Sequence, residues 1–143
     1  MNVDDARDMT VLVADDEDSI RFVLREVLES EGHRVNEVAD GESALDALTS
    51  NQFDLAFLDI RMPGLSGLDV LEQLRSGGSA TPVVIITAQN TMDNAVEAMK
   101  RGALDYLVKP FSLAQVSALV ERAQSTRNLQ GQIRDLQREA KGA

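Results

Sequence analysis

Five polar side chains follow short apolar runs of this sequence, at points where buried strands would end: Asp15, Asp16, Asp59, Thr87 and Lys109. If these runs are neighbouring strands of a parallel sheet, their carboxyl ends meet at the edge where open α/β sheets bind ligands. Three carboxylates sharing one site repel one another and raise each other's pKa, and a divalent cation removes that conflict. Because the ligands are oxygen atoms alone, Mg²⁺ or Mn²⁺ is the predicted ion.

The same residues predict nucleophilic chemistry at Asp59. A carboxylate nucleophile can accept a phosphoryl group, whose equatorial oxygens then need neutralisation. The metal, the Lys109 ammonium and the Thr87 hydroxyl could each contact one of those oxygens. Taken singly, these residues have simpler explanations, because an adjacent Asp pair usually caps a helix and an Asp after a strand often forms a turn. The prediction of a phosphoryl-accepting site rests on the fact that all five residues fall at one predicted edge of the sheet.

Alternating strands and helices are predicted to position these side chains. The strands are short apolar or β-branched runs, and the helices carry apolar residues at spacings of three and four. The predicted strands cover residues 10–14, 34–38, 54–58, 82–86 and 103–108, and a helix follows each one. This alternation predicts an α/β fold with right-handed crossovers. The expected architecture is a flavodoxin-like, doubly wound, five-stranded parallel sheet in the order 2-1-3-4-5.

The last two helices carry specific expectations. The fourth helix is predicted from about residue 91 to residue 101, with Ala95, Val96 and Met99 facing inward. The fifth helix is predicted to begin at a capping box in which Ser112 and Gln115 satisfy each other's backbone amides. It is expected to extend past the folded domain.

The carboxyl-terminal segment has a pattern of its own. Leu129, Ile133 and Leu136 recur at alternating spacings of four and three, which forms a heptad seam of about two repeats. That length is short for a coiled coil. The segment is predicted either to pair two chains in a homodimer or to form a solvated helical extension, and the pattern leaves both open.

Composition argues against several classes of function. The chain has 143 residues, 43% of them hydrophobic, with no Cys and one His, so disulfides, thiolate metal sites and His clusters are excluded. The net charge of −10 would repel nucleic acid phosphates, and no direct nucleic acid binding is expected. No apolar run reaches the roughly 20 residues that span a bilayer, and the acidic start lacks a signal region. We therefore expect no membrane association and a cytoplasmic location.

From about Thr10 to Ala123, the chain resembles the receiver domains of two-component response regulators. The motifs that match are Val13-Ala14-Asp15-Asp16, Asp59-Ile60-Arg61-Met62-Pro63, Thr87-Ala88 and Lys109-Pro110-Phe111. The expected organisation is a disordered lead over residues 1–9, a receiver domain over 10–124 and a helical linker over 125–143 that could form a coiled-coil dimerisation segment. The resemblance also implies a sensor histidine kinase as partner, whose phospho-His transfers its phosphoryl group to Asp59.

The resemblance assigns roles within the site. It implies that Asp16, Asp59 and the backbone carbonyl of Arg61 hold Mg²⁺, with Asp15 acting largely through water. It makes Lys109 the phosphate-binding lysine and implies a cis peptide bond between Lys109 and Pro110. It also makes Thr87 and Tyr106 a switch pair that responds to phosphorylation.

Finer motifs resemble NtrC-type activators of the alternative sigma factor. They are Asp59-Ile60-Arg61-Met62-Pro63-Gly64, Gly102-Ala103-Leu104-Asp105-Tyr106-Leu107 and Leu119-Val120-Glu121-Arg122-Ala123. In that family, a helical linker joins the receiver to an AAA+ ATPase and a DNA-binding domain, neither of which this chain contains. The expected function is therefore to regulate transcription through an output domain, by altered dimerisation. A stand-alone receiver, or a phosphorelay intermediate acting on a partner protein, is the alternative.

A turnover enzyme is not expected. Phosphatases of the haloacid dehalogenase type place a second Asp two residues after the nucleophilic Asp, and this chain has Arg61 there. A flavodoxin- or Rossmann-like nucleotide binder needs a first loop rich in Gly or in Ser and Thr, whereas this loop is acidic. We expect catalysis only of the chain's own Mg²⁺-dependent phosphotransfer and slow autodephosphorylation.

Overall fold

The computed structural model describes residues 8–88 and 92–126, with only the backbone of Met92. The strands are β1 (Thr10–Ala14), β2 (Arg34–Val38), β3 (Leu55–Asp59), β4 (Val83–Ala88) and β5 (Asp105–Lys109). The helices are α1 (Asp18–Ser30), α2 (Gly41–Ser50), α3 (Gly67–Ser76) and α4 (Met92–Lys100), followed by α5, which occupies residues 113–126 of the described chain. The heptad seam predicted from Leu129, Ile133 and Leu136 lies outside the described residues.

All five strands pair in parallel, in the order β2-β1-β3-β4-β5. The α/β, doubly wound, flavodoxin-like prediction is therefore confirmed. The register sets Asp59 beside Ile86 and Ala88 beside Lys109. The carboxyl ends of the central strands consequently finish at one edge of the sheet.

Alternating residues of the strands build two separate hydrophobic layers. On one face, Leu12, Ala56 and Leu58 pack with residues of α2, α3 and α4. On the other face, Val13 and Phe57 pack with residues of α1 and α5. Because β3 is buried on both faces along its whole length, it can hold a carboxylate rigidly at its end.

Close backbone contacts fix the loop that follows β3. A Cβ on Gly67, the first residue of α3, would lie 2.4 Å from the carbonyl oxygen of Asp59. Gly64 has a φ of +77°, which favours glycine. Ser66 caps α3 in a reciprocal capping box with Asp69. The end of β3 and the start of α3 are thus packed directly together.

The predicted capping box of α5 is confirmed. The Ser112 amide donates to Gln115 Oε1 at 2.8 Å, and the Gln115 amide donates to Ser112 Oγ at 3.2 Å. Both bonds satisfy amides that have no partner within the helix. The helix therefore begins where the sequence predicted.

The predicted inward face of α4 is wrong in part. Ala95 is buried as expected, but Val96 is 52% exposed and Met99 is 42% exposed. Ala98 is fully buried in their place. The helix presents its two alanines to the sheet, and its larger apolar side chains face outward.

The expectation of a disordered lead through residue 9 is wrong for Met9, which is 1% exposed. Its amide donates to His33 Nδ1 at 3.1 Å, and its carbonyl accepts from the Arg34 amide at 2.9 Å. Its side chain packs in the layer of α1 and α5. Of the rest of the predicted lead, Asp8 is half-buried and residues 1–7 lie outside the described residues.

Candidate functional site

The side chains predicted from the strand ends gather at the carboxyl edge of the sheet. Asp59 closes β3 and is 5% exposed, and Thr87, near the end of β4, is 2% exposed. Asp59, Thr87, Asp16 and Lys109 line a cavity of about 260 Å³. Asp15 is fully buried and reaches the group through an ion pair with Lys109. The side chains that the sequence predicted to lie close together are thus close together in the structure.

The ammonium group of Lys109 is the electrostatic centre of the site. Its Nζ lies 3.0 Å from Asp59 Oδ2, 3.0 Å from Asp15 Oδ2 and 3.1 Å from Glu17 Oε1. Burial acts to lower the pKa of Lys109, but its contacts with the carboxylates of Asp59 and Asp15 together outweigh that effect and raise the pKa. Lys109 therefore carries a fixed positive charge. The peptide bond between Lys109 and Pro110 is cis.

Asp59 is held from two sides. Its Oδ2 accepts a hydrogen bond from Lys109 at 3.0 Å, and its Oδ1 accepts one from the Arg61 amide at 3.1 Å. The Ile60 amide bonds to the Ile86 carbonyl at 2.9 Å and so anchors the chain just beyond the strand. These contacts orient a carboxylate whose remaining accessible surface faces the cavity.

Asp15 is a buried carboxyl group with an incomplete set of partners. Its Oδ1 accepts from the Glu17 amide at 2.9 Å. Its Oδ2 has Lys109 nearby but makes no hydrogen bond within the described residues. Burial raises the pKa of Asp15 from 3.8 to about 6; the negative charge of Asp59 adds to that rise, and the contacts with Glu17 and Lys109 oppose it.

This donor set fits a hard divalent cation. Asp15, Asp16, Glu17 and Asp59 each offer one carboxylate oxygen, and within the described chain these oxygens lie within 4.8 Å of one another. Oxygen atoms alone suit Mg²⁺ or Mn²⁺. Among the described residues, the buried Asp15 Oδ2 has only the shared Lys109 ammonium near it, 3.0 Å away and without hydrogen-bond geometry, and such an incompletely satisfied oxygen is the kind of group that a bound cation satisfies. The residues present therefore fit the predicted metal.

Sequence reasoning missed Glu17 as a member of the site. Glu17 is the N-cap residue of α1, and its carboxylate pairs with Lys109. Asn94 of α4 also lines the cavity. The adjacency of Glu17 to Asp16 was a usable signal, whereas the approach of Asn94 depends on how α4 packs.

Tyr106 stands apart from the cavity around Asp59. It lies on β5, is half-buried, and lines a second, mostly apolar cavity with Ala95, Val96 and Met99 of α4. Thr87, its predicted switch partner, lines the cavity at Asp59 instead. The two residues thus occupy adjacent strands but face different openings.

Comparison with known proteins assigns most of the chain to one family. Residues 11–121 match the model of the response regulator receiver domain. The chain is 43% identical over 127 residues to the DNA-binding transcriptional regulator NtrC of Escherichia coli K12, covering 89% of this chain and 27% of that protein. It is 40% identical over 119 residues to the two-component response regulator PhoP of Pseudomonas aeruginosa, covering 80% and 53% respectively. The chain thus spans about a quarter to a half of these curated relatives.

Solved structures agree with this assignment. The receiver domain of the Francisella response regulator 1452 superposes with a TM-score of 0.78 at 34% identity, covering 83% of this chain and 98% of that one. NtrX from Brucella abortus superposes with a TM-score of 0.83 at 36% identity, covering 91% and 30%. Among the described helices, none has the length and apolarity needed to cross a membrane.

Proposed function

This chain belongs to the response regulator receiver domains, and we propose that it receives a phosphoryl group on the Asp59 carboxylate as a signal. The observation that carries this proposal is the position of Asp59. It closes the central strand, with Lys109 Nζ 3.0 Å away and carboxylate oxygens of Asp15, Asp16 and Glu17 within 4.8 Å. This arrangement offers a nucleophile, a fixed positive charge and a metal-binding donor set within one cavity.

Each residue has a defined part in the transfer. Asp59 Oδ2 or Oδ1 attacks the phosphorus and the bond to the donor breaks, so the phosphoryl group moves without net gain or loss of electrons. The Lys109 ammonium neutralises charge on a phosphoryl oxygen, and the Thr87 hydroxyl donates to another. Asp15, Asp16, Asp59 and the Arg61 carbonyl would hold Mg²⁺, which supplies further charge neutralisation when bound. The proposed donor is the phospho-His of a cognate sensor histidine kinase.

Phosphorylation is proposed to act by shifting a conformational population. Thr87 would move towards the new phosphoryl oxygens, and the half-buried Tyr106 would move inward. Tyr106 shares an apolar cavity with the exposed Val96 and Met99 of α4. The surface most directly changed is therefore the one formed by α4, β5 and α5.

The proposed output is control of transcription through an output domain. The support comes from relatives described as DNA-binding transcriptional regulators, of which the chain covers only a part. A helical linker with Leu129, Ile133 and Leu136 would transmit the signal by altered dimerisation. The alternative is a stand-alone receiver or phosphorelay intermediate that acts on a partner protein.

Labelling with a small acyl phosphate and Mg²⁺ tests the proposed nucleophile. We expect stoichiometric, acid-labile phosphorylation of the unmodified chain and none of Asp59→Ala. The matched control is Asp46→Ala, which removes an exposed carboxylate of α2 and should label normally. Undiminished labelling of Asp59→Ala would refute Asp59 as the acceptor.

Molar mass in solution tests the proposed output. Beryllofluoride with Mg²⁺ should occupy the phosphoryl position on Asp59, and light scattering then reports whether chains associate. A change in mass is expected in the unmodified chain but not in Asp59→Ala. An unchanged mass would reject phosphorylation-driven assembly of this chain and leave the proposed phosphorylation intact.

A further inference from the structure

Arg21 of α1 makes a contact with the metal-binding loop that the proposed chemistry does not use. Its Nη1 donates to the backbone carbonyl of Asp15 at 2.6 Å. Its side chain is only 15% exposed, although it carries a charge. Its Nη2 also pairs with Asp18, in the first turn of the same helix. A largely buried guanidinium thus bonds to the peptide group that joins Asp15 to Asp16.

That peptide group controls where two carboxylates point. The Asp15 amide is held by the Val38 carbonyl at 3.2 Å, and Arg21 holds the Asp15 carbonyl on the other side. The Asp16 side chain is exposed and makes no hydrogen bond or ion pair within the part of the chain described. The position of its oxygens therefore depends on the backbone. Two described side chains fix that backbone: Asp15 Oδ1 accepts from the Glu17 amide at 2.9 Å, and Arg21 donates to the Asp15 carbonyl.

Arg21 is itself held in place from β2. Its Nε lies 3.3 Å from Glu37 Oε1, while Arg25 Nη1 lies 2.7 Å from Glu37 Oε2. Arg25 sits one turn further along α1 and also pairs with Glu29 at 3.0 Å. Arg25 thus contacts Glu37 as Arg21 does, but it makes no hydrogen bond to the Asp15 carbonyl.

We propose that Arg21 is a positioning residue for the divalent cation site, because it fixes the peptide group between Asp15 and Asp16. This inference rests on the proposed function, in which those carboxylates hold the ion. Groups that orient metal ligands from behind typically contribute about 10-fold to 100-fold in metal affinity. A planar guanidinium with several donors suits this role, since it can bond a carbonyl and a carboxylate at once.

The direction of the change in Mn²⁺ affinity distinguishes a positioning role of Arg21 from an effect of its charge alone. Arg21 is a positive charge close to a cation site, so its charge alone opposes binding of Mn²⁺. If Arg21 acted only through charge, Arg21→Gln would bind Mn²⁺ more tightly. The positioning role predicts the reverse, with affinity weaker by about tenfold in both Arg21→Gln and Arg21→Lys. Arg21→Lys keeps the charge and loses the forked geometry.

The test is calorimetric titration of Mn²⁺ into the metal-free chain and its variants. Circular dichroism and urea unfolding in chelator verify that each variant is folded, and Arg21→Lys provides a second reading if Arg21→Gln does not fold. Arg25→Gln is the matched control and should bind Mn²⁺ as the unmodified chain does. Weaker binding by the two Arg21 variants alone supports the proposal. Equal or tighter binding by Arg21→Gln overturns it.

Labelling as a function of Mg²⁺ concentration gives a readout that loss of stability would not mimic. In Arg21→Lys, the Mg²⁺ concentration for half-maximal labelling should rise about tenfold, with an unchanged rate at saturating Mg²⁺. A lower rate at saturation would overturn the view that Arg21 acts through the metal ligands. If the unmodified chain binds no Mn²⁺, the proposed function itself fails. If it binds and the Arg21 variants match it, only this inference fails.

Discussion

Replacing Asp15 with Asn should change how the stability of the metal-free chain depends on pH. Asp15 is fully buried, and its pKa of about 6 in the folded chain lies above the ordinary value of 3.8. Because the folded pKa is raised, the folded chain binds the proton more readily than the unfolded chain does. Ionised Asp15 therefore destabilises the fold above pH 6, and that cost fades as the pH falls through 6 towards 4.

The size of the effect follows from the shift in pKa. A rise of about 2 units corresponds to a cost of about 3 kcal/mol at pH 7.5, because each unit is worth about 1.4 kcal/mol. At pH 4.5, about 1 kcal/mol of that cost remains. The gain in unfolding free energy from Asp15→Asn should thus be about 2 kcal/mol larger at pH 7.5 than at pH 4.5. Any constant effect of the amide beside Lys109 cancels in this comparison.

Urea unfolding in chelator at the two pH values measures this difference directly. Asp16→Asn is the control, since it removes the neighbouring carboxylate, which is exposed. We expect the difference of about 2 kcal/mol between the two pH values only where the buried carboxylate is removed. If Asp15→Asn and Asp16→Asn show the same pH dependence, the burial argument for Asp15 is refuted.

Three further predictions concern packing and charge, two of them at the site and one at His33, which precedes β2. Gly67→Ala should lower the free energy of unfolding by about 1–3 kcal/mol, because the new Cβ would lie 2.4 Å from the Asp59 carbonyl oxygen. Gly77→Ala is the control, since its Cβ would meet nothing closer than 3.4 Å. Equal urea midpoints for the two variants would contradict this prediction. Lys109→Met should lower the free energy of unfolding by about 3–5 kcal/mol in chelator and by less in Mg²⁺. If the loss of stability is the same with and without Mg²⁺, the result counts against the metal site. Burial lowers the pKa of His33, so stability should fall as the pH drops below 6.5, and His33→Gln should remove that loss in the same unfolding assay.

The sequence predicted the site well because parallel strands end together. Each of Asp59, Thr87 and Lys109 stands in or directly after an apolar run, and the order of the runs along the chain limits the topology. Once the sheet order is known, these positions must lie near one another. Local motifs were predictable for a similar reason, since the capping box of Ser112 and Gln115 depends only on residues three apart.

Features that depend on packing distances were not predictable. Val96 and Met99 were placed inward because they are apolar, yet the close approach of α4 to the sheet selects the small residues Ala95 and Ala98 instead. The bond from Arg21 to the Asp15 carbonyl has no signature in sequence, because it joins a side chain to a backbone group.

The most direct test of the central claim is to find where the phosphoryl group is attached. After reaction with a small acyl phosphate and Mg²⁺, borohydride reduction converts an aspartyl phosphate into homoserine, which peptide mass spectrometry can place. We predict homoserine at residue 59 alone, and none when Mg²⁺ is chelated. Homoserine at another carboxylate, or none in the complete reaction, would contradict the assignment of Asp59 as the phosphoryl acceptor.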